Sequence, residues 1–170
     1  MGFDLALARI VHVLGGVIWV GSMFFMSVFL IPSVTEVGPD GAKVMAAMAK
    51  RKWMIVVPVI ALLTMLSGIW LFWRASMGFN EAYMSSGPGR TYSLGGAMAI
   101  LGFIIGITVT RPAMMKMGRL TASLANASPA ERETIMNELQ KTRIRGERAG
   151  KVIAYLLIGT VTLMALGRYV

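Results

Sequence analysis

An all-α bundle of four membrane-spanning helices, in one domain covering residues 1–170, is the fold class this sequence predicts. Three observations carry it. The chain is 56% hydrophobic and 15% charged, whereas a soluble domain carries roughly 25% charged residues. Four stretches are apolar for the roughly 20 residues needed to cross about 30 Å of hydrocarbon. Thirteen of the seventeen Lys and Arg fall in two connecting segments, as expected of loops retained on one side of a membrane.

The spacing predicts a first span over about Leu5 to Ile31, ending at Pro32, and a second over Trp53 to Trp73. The third runs from about Thr91 to Thr110 and stops at Arg111-Pro112; the fourth, Val152 to Gly167, lies between Lys151 and Arg168. Orientation follows from the cations. Ser33 to Lys52 holds four and Arg111 to Lys151 holds nine. Both segments therefore face the cytoplasm and both termini face outward, in a bacterial-type cytoplasmic (inner) membrane crossed four times. Ahead of the fourth span, Ser128-Pro129-Ala130-Glu131 reads as a helix start with a capping-box glutamate. Ile135, Met136 and Leu139 follow at helical spacing, which predicts an amphipathic cytoplasmic helix at the inner membrane surface. Its basic stretch is read either as a solvated linker drawn to anionic lipid or as a partner site.

The composition excludes several chemistries. There is no cysteine and a single histidine, so thiolate sites and sites using two histidines of one chain are ruled out. The N-terminus lacks a basic n-region and its apolar run exceeds an h-region, so it reads as an uncleaved span. A net charge of +9 invites a nucleic-acid reading, but the confinement of the cations to loops argues against one. No carboxylate pair, phosphate-cradling loop or Ser/His/Asp set lies in the spans, and any catalysis would rest on a bound cofactor.

The first helix carries the candidate site. At about 100° per residue, His12, Trp19, Met23 and Met26 fall on one stripe, flanked by Gly15 and Gly16. Glycines there leave a notch where something flat or another backbone can approach. Trp19 is too deep for an interfacial belt, whereas Trp53, Trp70 and Trp73 lie where belt residues belong. An ionisable group within a span is a functional candidate by default, and neutral imidazole ligates iron and copper. The competing reading of His12 is a packing residue hydrogen-bonded to a hydroxyl or carbonyl of a neighbouring helix. Thioethers suit Cu(I), which brings in Met23, Met26, Met114, Met115 and Met117, although methionine is also an ordinary apolar filler. In the third span Gly102 and Gly106 form a small-xxx-small pair, read as packing within the bundle or as a homodimer contact. In the second, Pro58 predicts a kink, and Thr64, Ser67 and Gly68 are candidates to line a cavity.

The stretch from His12 to Pro32, with His12, a Trp seven residues later at Trp19, Gly21 and then Phe24-Phe25, resembles the first helix of a superfamily of small four-helix membrane proteins. It includes the copper-resistance protein D family, the membrane-type protoporphyrinogen oxidases, the membrane domain of a bacterial urate oxidase and uncharacterised relatives. Leu66-Ser67-Gly68-Ile69-Trp70 and the closing Met164 to Tyr169 also fit. The resemblance implies haem b held by His12. The lysine that assists in the third helix of the oxidases is absent here, which argues against that activity.

Three functional expectations result. The first is a haem-b-binding membrane protein with a redox or haem-handling role, with His12 as axial metal ligand and Gly15, Gly16, Trp19 and Met23 around the cofactor. The second is a non-catalytic accessory subunit, within a homodimer or a larger membrane complex. The third is copper uptake or tolerance.

Overall fold

The computed structural model describes residues 2–170, apart from the side chain of Pro39, and all regular structure among them is helical. Four helical runs are long and apolar enough to cross a membrane: Phe3–Val37, Trp53–Ala75, Gly87–Asn126 and Pro129–Leu166. This is an all-α, four-helix membrane bundle.

The first run comprises α1 (Phe3–Phe25), a five-residue π turn (Met26–Leu30) and α2 (Ile31–Val37). The sequence reading ended the span at Pro32; the helix instead continues past it. Proline lacks the N–H that would bond the carbonyl four residues back, and the backbone answers by widening one turn, with the Ile31 N–H bonding the Met26 carbonyl five residues back. The third run repeats the device. In α6 (Gly87–Ile105), a π turn (Gly106–Thr110) precedes Pro112, and α7 (Arg111–Ser123) follows. The two π turns lie 80 residues apart, as do Pro32 and Pro112 and the triplets Leu14-Gly15-Gly16 and Leu94-Gly95-Gly96. The first and third runs thus share one design.

Between them, α3 (Gly41–Lys50) covers much of the first basic segment, and Lys52, in the left-handed region at φ 56°, turns the chain into α4 (Trp53–Ala75). Asn80 caps the one-turn α5 (Glu81–Met84) at the opposite end. The fourth run is the single 38-residue helix α8 (Pro129–Leu166), about 57 Å long at 1.5 Å per residue. That is nearly twice the hydrocarbon thickness, so its first half extends beyond the span. The Ser128–Glu131 capping box is present at its start. The predicted amphipathic helix and the fourth span are therefore one helix, and its basic arm packs along α7, with Gly146 facing Ala113.

Packing is dense between α1 and α4 and between α6 and α8, and sparser between the two pairs. The core is Trp19, Val57, Ala61, Ile153 and Leu157, with Leu157 fully enclosed. Gly102 and Gly106 face Ile153 and Leu157 of α8. The small-residue stripe of the third span is therefore used inside this bundle, the first of its two sequence readings. Most remaining large apolar side chains are exposed on the flanks, as lipid-facing residues must be.

Candidate functional site

The site is built where α1 crosses α4 toward the end away from the basic segments. His12 is half-buried on the face of α1 that meets α4, and its Nδ1–H donates to the main-chain carbonyl of Thr64 at 2.8 Å. A carbonyl can only accept, so this bond places a ring proton on Nδ1, and in the neutral imidazole the lone pair is then on Nε2. Ser67 donates to the same carbonyl at 3.0 Å and to that of Leu63 at 2.7 Å. Nε2 has no hydrogen-bond partner and is not among the enclosed polar atoms. Hydrogen bonding of one imidazole nitrogen to a carbonyl while the other is free is the arrangement that orients a histidine ligand.

The imidazole fits because α4 offers no side chain beneath it. A Cβ at Gly68 would lie 2.6 Å from the ring Cε1. One turn deeper, Gly15 makes room for the Thr64 side chain, whose Oγ1 donates to the Ile60 carbonyl at 2.8 Å. Gly16 faces the Thr64 methyl. The glycine notch is thus occupied by another helix, the second of the two approaches it allows.

Trp19 is buried at 4% exposure and meets Phe103 edge-on, with ring centroids 6.3 Å apart. Trp19 and Met23 line an apolar cavity of about 90 Å³ that also contacts Val57, Phe103 and Ile153. Met26 is buried on the following turn. Met23 and Met26 lie eleven and fourteen residues beyond His12, about 16 and 21 Å along the axis, so they do not share a metal with it. His12 and the Trp19–Met23 cavity are therefore two places along one helix. Trp70 and Trp73 are exposed and stacked at 5.2 Å; Trp53, the first residue of α4, lines the cavity. Among the described residues no group of three or more His, Asp or Glu could hold a metal ion.

Sequence reasoning singled out Thr64, Ser67 and Gly68 together but not their relation to His12. The deciding acceptor is a backbone carbonyl, and every residue carries one. Two further side chains were missed, Thr110 and Arg111 at the π turn of the third run. Both line the cavity, and the Thr110 hydroxyl is buried without a partner.

No family model matches the chain, and neither a curated protein nor a solved structure is similar to it at a significant level.

Proposed function

We propose that this protein binds haem b on the flank of the α1–α4 pair through Nε2 of His12, in a redox or haem-handling role. Its basic end would face the cytoplasm of a bacterial-type inner membrane. The observation that carries the reading is the hydrogen bond from His12 Nδ1 to the Thr64 carbonyl, which presents Nε2 as a lone pair. The resemblance of the first helix to the copper-resistance and protoporphyrinogen-oxidase superfamily supports the same residue.

The fit has definite limits. The cavity of about 90 Å³ beside Trp19 is far below the roughly 300–1,000 Å³ of ligand pockets, so a porphyrin would lie against the outside of the helix pair. Arg9, one turn from His12, is an exposed cation for a propionate. This chain would offer the group one side-chain ligand, His12, and any second would come from another subunit. Bound haem would supply one-electron chemistry; the protein's part would be to aim Nε2 and to keep water from the inner side of the ring. The test is a haem titration of the protein in nanodiscs, read by the Soret band and by haem-to-protein stoichiometry. Saturation at one haem per chain, or one per two chains if a second copy supplies the other ligand, supports the proposal. A linear rise without saturation is partitioning into lipid and overturns it.

A second reading has its own support. His12 already makes a complete packing interaction with α4, and the interior has no room for a large cofactor. Those features favour an accessory subunit that lends its flank to a larger membrane complex. It predicts a colourless protein, tolerance of His12 replacement and co-purification with a partner. Copper uptake or tolerance is a third reading; it predicts tight Cu(I) binding that is lost on methionine substitution.

A further inference from the structure

The two helix pairs leave two seams at the basic end of the bundle, one between α4 and α6 and one between α1 and α8. Each seam opens into a pocket. The first is the cavity of about 90 Å³, walled on α4 by Met54, Val57, Pro58 and Ala61. The second holds about 250 Å³ and is walled on α8 by Lys151, Ala154, Tyr155 and Ile158. Both sets follow the same i, i+3, i+4, i+7 spacing. The opposite walls come from the repeated π turns, Gly106 and Thr110 in one and Ser27 and Val28 in the other. Each pocket thus has one wall at helical spacing and another at a π turn.

We propose that each seam pocket takes an acyl chain of a phospholipid with an anionic headgroup, with Arg111 holding the phosphate at one pocket and Lys151 at the other. Each pocket is lined by one cation that is otherwise exposed, and no carboxylate lines either. The walls are apolar and lie at the level where the spans meet the basic segments, so a headgroup and a chain would each meet a matching surface. The narrow first pocket suits a run of methylenes; an engineered cavity that holds a benzene ring is about 150 Å³.

Thr110 supplies an independent observation. Thr64, Thr108 and Thr160 each donate to the carbonyl four residues back. The Thr110 hydroxyl makes no such bond to the Gly106 carbonyl, which in the π turn accepts from the Arg111 N–H. The Thr110 hydroxyl is left buried without a partner on the wall of the pocket. A buried donor in that position calls for an acceptor, and a lipid ester or phosphate oxygen is one. The inference is independent of haem binding.

The test uses Trp19, which is 4% exposed, so that a chain must enter the first seam to touch it. With Trp53, Trp70 and Trp73 replaced by Phe, the protein is placed in bilayers containing lipids brominated on the acyl chain. Brominated phosphatidylglycerol is expected to half-quench Trp19 at a mole fraction roughly fivefold lower than brominated phosphatidylcholine, the factor for one cation at an anionic surface. Arg111→Gln should remove that difference, and Lys151→Gln, at the other seam, should leave it. Equal quenching by the two lipids overturns the proposal, as does an equal effect of the two substitutions, which would signal general surface charge. Native mass spectrometry of the otherwise unmodified protein gives a second reading. Retention of two anionic lipids, with one lost in each single variant, supports the paired sites; no retained lipid, or losses unrelated to Arg111 and Lys151, contradicts them.

Discussion

The imidazole of His12 lies on the bare backbone of Gly68, where a single methyl group would come within 2.6 Å of Cε1. The contact fixes the ring, and with it the direction of Nε2, more firmly than the hydrogen bond to Thr64 could alone. Gly68→Ala should expel the ring and cost about 1–3 kcal/mol by overpacking. Combined with His12→Ala it should cost less than the two changes added, because both act on one contact. Unfolding in mixed micelles measures this; strict additivity would mean that the contact does not exist.

Leu157 is fully enclosed between the helix pairs and packs beside Trp19 and Ile153. Within a membrane there is little hydrophobic gain from helix association, so what Leu157→Ala removes is close packing. The expected loss is about 2–3 kcal/mol, at the lower end for buried leucines. The same change at Leu101, exposed on the flank of α6, should be nearly silent. Comparable losses at both positions would contradict the assignment of the core.

The arm of α8 beyond the span begins at the Ser128–Glu131 capping box. The Ser128 side chain and then its backbone N–H bond the Glu131 carboxyl and hold it below the usual glutamate value. Since the folded-state value is the lower one, the cap stabilises the arm above the ordinary glutamate range and is lost as pH falls through the folded value. Carbon chemical shifts of residues 129–132 should lose helical character on acidification, and Ser128→Ala should show the loss already at neutral pH. Shifts that do not depend on pH would refute the role of the cap.

The absence of cysteine makes topology directly testable. A single cysteine at Ser123, in the segment richest in cations, should react only with reagents admitted to the cytoplasmic side. One at Ser85, beside α5, should react only from outside. The reverse pattern would invert the orientation drawn from the charges.

Much of this architecture is legible in the sequence, for reasons particular residues make plain. Four apolar runs and the clustering of Lys and Arg are imposed by lipid, which tolerates few alternatives. Ser128-Pro129-Ala130-Glu131 marks a helix start chemically, and the helix begins there. Pro32 and Pro112 misled because proline ordinarily ends a span, yet one widened turn lets the helix continue. The recurrence of Leu-Gly-Gly and proline at an 80-residue interval was a readable sign that the two places share a geometry. Trp53 carried an interfacial signature and also lines the cavity, since depth along a helix does not determine which way a residue faces. For the candidate site, the stripe of His12 and Trp19 correctly marks the inward face of α1. What the pattern does not separate is that His12 meets α4 while Trp19 and Met23 meet a cavity further along.

The most direct test of haem ligation at His12 uses a substitution that separates packing from coordination. In His12→Asn the amide nitrogen occupies the δ position and can donate to the Thr64 carbonyl, but no imidazole lone pair is left. The protein purified in mild detergent, with its oxidised and reduced visible spectra recorded beside those of His12→Asn, gives the comparison. A Soret band that shifts on reduction in the native protein and is absent from an equally stable His12→Asn variant is the predicted result. A colourless native protein that takes up no haem, or the same spectrum in both proteins, would contradict the assignment of His12 as the haem ligand.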